Sequence, residues 1–237
     1  MKKYELTAEF IEKWGKKLFR IKALISFGNV EAGELGGYVE KEDNLAQDDN
    51  AWVHGNARVF GNARVCDDAE VCGNARVFGN ARVFGNARVC DDAEVLGNAR
   101  VFGNARVCDD ARVCDDAEVC DDAEVFGNAR VYGDARVCGN ARVYGNARVY
   151  GDADYLLIGR IGSRFSFTTF FKNKDKGITV SCGCFLGTIA EFRAKVSDTH
   201  GNNKHAKIYN LAADMAELQI LGEEHFENLN TNKSEPF

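Results

Sequence analysis

The sequence predicts a mainly β fold: a three-sided, single-stranded parallel β-helix of 18-residue coils, with an N-terminal β cap and a small α+β C-terminal module. Three observations predict it. From His54 to Val149 the chain divides without a gap into sixteen hexapeptides of the form x-Gly/Asp-Asn/Asp-Ala-Arg/Glu-Val. Within each unit Ala and Val stand two apart, as in Ala63-Arg64-Val65, so in an extended segment both point to one side and the Arg to the other. The Gly-Asn or Asp-Asp pair between these segments is turn chemistry, because Gly, Asn and Asp tolerate the positive φ of a sharp corner.

Each hexapeptide is therefore one side and one corner. A single side cannot bury its own Ala and Val, but three sides close a triangular coil whose inward residues stack on the next coil. With strands roughly 4.8 Å apart, the five or so coils of the repeat make a prism on the order of 25 Å tall. Pairing each inward Val with a small Ala fills the interior, so function is expected on faces, corners or ends.

Residues 18 apart lie above one another, which sorts the outward residues into three ladders. One runs Arg58, Arg76, Glu94, Arg112, Arg130, Arg148; the second Arg64, Arg82, Arg100, Glu118, Arg136, Asp154; the third Glu70, Arg88, Arg106, Glu124, Arg142. Like charges stacked directly repel, and each Glu relieves a run of Arg. The corners stack in the same way, with Cys72, Cys90 and Cys108 on one edge. Phe60, Phe78, Leu96, Cys114, Tyr132 and Tyr150 form the second edge, and Cys66, Phe84, Phe102, Cys120 and Cys138 the third.

The 237 residues are 45% hydrophobic, enough for a folded core, and the net charge of −6 argues against a generic nucleic-acid or membrane-surface protein. The repeat itself carries more carboxylates than arginines, so its Arg rows do not make a basic face. No apolar stretch reaches the roughly 20 residues that span a bilayer, and a cytoplasmic location is expected. Seven of the nine cysteines occupy one repeat position with no pairing pattern, and they are expected to be reduced.

Residues 1–43 lack the repeat but alternate through Phe19, Ile21 and Ala23 after a Trp14-Gly15 turn, and they read as the cap an open solenoid end requires. The β-helix is assigned to 44–155. A separate α+β module follows at 156–222, and a tail at 223–237 without periodicity is expected to be disordered. In the module, Phe165–Phe171 and Ile178–Phe185 read as a hairpin around the charged turn 172–177. Thr188 with Glu191 is a capping box opening a helix with Ile189, Phe192 and Val196, and Ile208, Leu211, Ala212, Met215 and Leu218 mark a second helix.

The unit Val-Phe-Gly-Asn-Ala-Arg-Val resembles the hexapeptide repeat of left-handed parallel β-helix proteins, and the left hand is implied by that resemblance alone. The run Gly33-Glu34-Leu35-Gly36-Gly37-Tyr38-Val39, continuing to Trp52-Val53, is similar to the start of bacterial and prophage-encoded β-helix proteins catalogued as transferases or polymer-forming proteins. Ser181-Cys182-Gly183-Cys184-Phe185-Leu186-Gly187-Thr188, with Thr199-His200-Gly201, resembles a module of unassigned chemistry that follows such repeats in prophage-encoded proteins.

Function is expected to be non-enzymatic: a rigid solenoid presenting a C-terminal recognition module, phage-related by resemblance and acting on a host component. The candidate binding region gathers Lys172, Lys174, Cys182, Cys184, Phe185 and His200, because only this module breaks the uniformity of the repeat. The expected partner is a protein or a second copy of the chain, with a small ligand at the module as a further option. No catalytic residue, cofactor or metal is assigned. Cys182, Cys184, His200 and His205 could supply zinc ligands, but Cys-x-Cys and His-x4-His are poor finger spacings. The runner-up is an acyltransferase, since many hexapeptide-repeat proteins transfer acyl groups with a histidine base, and here the coils offer only His54. End-to-end polymerisation is the third reading.

Overall fold

The computed structural model describes residues 2–223. β1 (Tyr4–Lys13) and β2 (Lys16–Ala23) form an antiparallel hairpin around Trp14 and Gly15, both at positive φ. β3 (Leu35–Val39) runs antiparallel to β2 on one edge and parallel to the first repeat strand, at Arg58–Val59, on the other, so it joins the cap to the solenoid. β4 (Trp52–Val53) is followed by one two-residue strand in every hexapeptide, from β5 (Arg58–Val59) to β20 (Arg148–Val149). These strands pair in parallel with the strand 18 residues on, as in Arg88 opposite Arg106 and Val101 opposite Val119. Three parallel ladders result, one per side of the prism, and the first includes the cap hairpin as its outer edge. The parallel pairing begins upstream of the repeat, with Tyr38 opposite Arg58 and Leu45 bridging Val65.

Every repeat Ala and Val from Ala57 to Val149 is fully buried and joins one continuous core. The outward ladders are bridged as expected. Glu94 lies between Arg76 and Arg112, its carboxylate 3.1 Å from the Arg112 Nε, and Glu118 reaches Arg100 at 2.8 Å and Arg136 at 3.1 Å. Asp154 leaves its ladder: it sits in a 3-10 turn at Asp152–Asp154, where the chain turns off the last coil.

The corners have their own logic. The first residue of each corner pair has positive φ, from +58° to +75° over most of the repeat, whether it is Gly or Asp. Where it is Asp, the carboxylate turns onto the next coil and accepts the N–H of the corner 18 residues on. Asp67 takes Gly85 N at 2.9 Å, Asp109 takes Gly127 N at 2.9 Å and Asp121 takes Gly139 N at 3.1 Å. An L-residue in this conformation costs about 1–2 kcal/mol, and the side-chain hydrogen bond offsets part of that cost.

Stacking continues outside the corners. Phe60 lies on Phe78 and Phe84 on Phe102 with ring centroids 4.9 Å apart, the spacing of the strands themselves. The same spacing corrects the expectation that the seven repeat cysteines are reduced: Cys90–Cys108 and Cys120–Cys138 are disulfides. Stacked corners hold their Cα atoms 4.7 Å apart, inside the range a disulfide can bridge.

Both ends of the prism are covered. At the N-terminal end Lys3 is buried, and its ammonium donates to the main-chain carbonyls of Asp48, Asp49 and Ala51. Burial pushes its pKa down to about 8. The Tyr4 hydroxyl donates to Leu45 O, and the Tyr4 ring meets Trp52 edge-on.

At the other end the expected hairpin is part of a four-stranded antiparallel sheet of β21 (Tyr155–Ile161), β22 (Ser166–Lys172), β23 (Ile178–Cys182) and β24 (Phe185–Thr188). Strand alternation divides this sheet between two cores. Phe171 packs into the solenoid core, while Phe170, Ile178 and Val180 face α1 (Ile189–His200) and α2 (Lys204–Leu221). The last coil's free N–H groups are satisfied from the module side: Arg142 N donates to Thr169 Oγ1 at 3.1 Å and Arg136 N to Asp152 Oδ1 at 2.9 Å.

The expected second helix is α2, and it packs by its small residues. The residues it buries are Ala206, Tyr209, Ala212, Ala213, Ala216, Glu217 and Ile220, whereas Ile208, Leu211, Met215 and Leu218 are exposed. Small residues let the helix lie close to β21 and β22, and this leaves the large ones outside. Residues 224–237, where the expected disordered tail falls, lie outside the described residues.

Candidate functional site

The C-terminal module carries a groove of about 260 Å³ between the turn after β21, the β23–β24 turn and both helices. Its walls follow from local chemistry. Thr188 and Glu191 form the expected capping box, with Thr188 Oγ1 accepting Glu191 N at 3.3 Å and Glu191 accepting Thr188 N at 2.8 Å. This fixes the start of α1 and turns Phe192, Val196, Thr199 and His200 toward the groove. Asn203 caps α2 by accepting the N–H groups of His205 and Ala206, and sets Tyr209 one turn further on.

The groove floor is aromatic. Phe192 meets Tyr209 edge-on at 5.6 Å and packs against Phe185 at 5.6 Å, and the His200 imidazole lies 5.8 Å from the Tyr209 ring, tilted by 29°. Cys182 takes a hydrogen bond from Thr168 Oγ1 at 3.2 Å and is half-buried. Cys184 is exposed, with the Arg164 guanidinium 3.8 Å from its sulfur. Burial first, then the neighbouring Cys182, raises the Tyr209 phenol above its ordinary pKa, so it is a neutral hydroxyl at physiological pH. Arg164 and Lys195 add positive charge to the rim.

Four of the six candidate residues, Cys182, Cys184, Phe185 and His200, therefore line one groove. Lys172 and Lys174 do not. They stand at the other end of the β22–β23 hairpin, since Cys182 pairs with Thr168 but Ile178 with Lys172. Lys172 binds Asp154 at 2.8 Å against the last coil, and Lys174 binds Asp175 at 3.0 Å. The sequence reading missed Arg164, Lys195 and Tyr209. Tyr209 falls on the Ala206/Ala213 side of α2, a spacing that could have flagged it.

No three of Cys182, Cys184, His200 and His205 bring ligand atoms within 4.8 Å of one another. Among the described residues the groupings that do so are Cys90-Asp91-Cys108 and Cys120-Asp121-Cys138, whose sulfurs are already bonded. A second groove, of about 330 Å³, lies where the cap meets the first coils and is lined by Trp52, His54, Glu70 and Arg88. His54 Nδ1 is 4.0 Å from the Glu34 carboxylate. No helix among the described residues is long and apolar enough to cross a membrane.

No curated protein matches the chain. Residues 75–91, 123–139 and 141–153 match the family model described as YdcK Beta solenoid repeat, all within the coils and none in the groove-bearing module. The chain is a repeat β-helix protein similar to that family over these segments.

Proposed function

We propose that the chain is a non-enzymatic binding protein, a rigid hexapeptide β-solenoid that presents the groove of its C-terminal module to a protein partner. The observation that carries this reading is the groove's composition. An aromatic floor of Phe185, Phe192 and Tyr209 is rimmed by unlike polar groups, Arg164, Lys195, Thr199 and His200. Binding sites join apolar area to a few convergent polar groups in this way. The repeat faces offer the same Arg or Glu at each step, with all four Glu already bridged. A phage-encoded role against a host component is an elaboration that rests on sequence resemblance.

Affinity capture from bacterial lysate with the intact chain tests the reading. Substituting Phe185→Ser or Lys195→Glu is expected to abolish capture of the most enriched protein. Arg82→Gln with Arg100→Gln should leave it within a few-fold. The opposite pattern would move recognition onto the Arg ladders.

Acyl transfer is the second reading, and what favours it is a histidine, His54, lining the cap groove with the Glu34 carboxylate 4.0 Å from its Nδ1. Titration with acetyl-coenzyme A, read as a thermal shift that is lost in His54→Ala, checks it. What argues against end-to-end stacking is that the cap hairpin and the module sheet occupy the two prism ends.

A further inference from the structure

We infer that the outward face of α2 is a self-association surface, on which two copies of the chain pair their α2 helices antiparallel. Ile208, Leu211, Met215 and Leu218 are 38%, 63%, 57% and 43% exposed. Four large apolar side chains in one row on a helix that buries alanines against its own module invert the usual amphipathic order. Their spacing of three, four and three residues is the seam of a helix that packs on another helix, where apolar residues recur every 3.5 positions. The row runs over eleven residues, roughly 15 Å of helix from first to last.

The row is symmetric about residue 213. In an antiparallel pair Ile208 falls opposite Leu218 of the second copy and Leu211 opposite Met215 of the second copy. Continuing the pattern puts Lys204 opposite Gly222 of the second copy, next to Glu223. A surface that matches itself under a two-fold axis is what a closed dimer requires.

Charge selects the second copy and the antiparallel direction. α2 has no acidic residue in its first turn and no basic residue in its last, and Lys204 and Lys207 stand near its positive N-terminal end. Glu223 lies just beyond its negative end, and Lys204, Lys207 and Glu223 are all exposed. Among the described residues none of the three has an ionic partner within 4 Å. Within one copy these charges oppose the helix dipole. Antiparallel pairing brings each lysine end to the C-terminal end of the other helix, with its Glu223, and satisfies both. Parallel pairing would instead set Lys204 against Lys204 and leave both helix ends unfavourable.

The test is sedimentation equilibrium of the full chain from about 1 to 200 μM. A reversible dimer is expected, its low-end affinity consistent with a small contact area. Leu211→Glu places two carboxylates at the centre of the seam and is expected to weaken the dimer at least about 100-fold, because each substitution acts twice. Lys204→Glu is expected to weaken it several-fold, and Lys204→Glu with Glu223→Lys to restore it. All three substitutions are on exposed positions, and far-UV circular dichroism confirms that the helix is retained. A wild-type monomer across the range overturns the proposal and leaves the row to the tail at 224–237 or to another protein. So does a dimer that Leu211→Glu leaves intact, and one that the double charge exchange fails to restore refutes the antiparallel arrangement.

Discussion

The corner conformation makes a quantitative prediction that separates two costs. Gly145 sits at φ +66° with nothing within 4 Å of where a Cβ would stand, so Gly145→Ala carries only the left-handed backbone cost, about 1–2 kcal/mol. Gly97, at φ +72°, would place its Cβ 2.8 Å from the backbone nitrogen of Asp115 in the next coil. That neighbour is main chain held in a ladder and cannot turn aside. Gly97→Ala adds about 1–3 kcal/mol of overpacking to the backbone cost, for a total on the order of 3 kcal/mol. Gly97→Asp meets the same contact, but its carboxylate can accept the Asp115 N–H, as Asp115 itself accepts Gly133 N at 3.2 Å. A recovered hydrogen bond of about 1 kcal/mol should make Gly97→Asp less destabilising than Gly97→Ala. Urea denaturation followed by far-UV circular dichroism reads the three midpoints, expected to fall in the order Gly145→Ala, Gly97→Asp, Gly97→Ala, the last lowest. If Gly97→Ala proves no worse than Gly145→Ala, or better than Gly97→Asp, the account of the corners is refuted.

Alkylation of the unreduced, denatured chain should modify five of nine thiols, and all nine after reduction; nine without reduction would remove both disulfides. Each bond closes an 18-residue loop, so its reduction should cost about 3 kcal/mol through the unfolded chain. Lys3 has a folded pKa of about 8 against 10.5 when exposed, so the folded state binds fewer protons between those values and stability rises with pH through that window. The urea midpoint of the wild type should therefore gain on that of Lys3→Met from pH 8 to 10, and parallel profiles would contradict it. Lys172→Met should lower stability by about 1 kcal/mol, since it strips Asp154 of its cationic partner at the last coil, while leaving partner capture unchanged. Lost capture in a folded Lys172→Met chain would return that residue to the binding site.

The solenoid was legible because one residue pair, Ala and Val two apart, repeats at each step, and the coil length then fixes every ladder. The Glu94 and Glu118 bridges followed from arithmetic alone. The Thr188–Glu191 box was legible for a local reason, since capping needs only residues three apart. What was not legible depends on distant neighbours. The strand Tyr155–Ile161 carries no pattern of its own that marks it, and it pairs with β22, whose Phe171 enters the solenoid core. Of the apolar residues that announce α2, Ala212 is buried and the four large ones are not, because periodicity finds a helix without saying which face the sheet will accept. Lys172 and Lys174 looked available as charged turn residues, and the Asp154 carboxylate that engages Lys172 lies beside it only in the fold. The groove's Arg164 comes from a turn with no pattern to mark it.

The 18-residue period also governs what the gene can tolerate. Because the coils are nearly identical, recombination between copies can add or remove hexapeptides in frame. Loss of three units shortens the prism by one strand spacing, roughly 4.8 Å, and returns the C-terminal module to the same side. Loss of one unit instead turns the module by about 120° around the prism axis and hands Thr169 and Asp152 the wrong N–H groups to cap. Chain length is thus free to vary in whole coils, as a measuring rod cut at fixed marks, while the bearing of the groove relative to the cap is held constant.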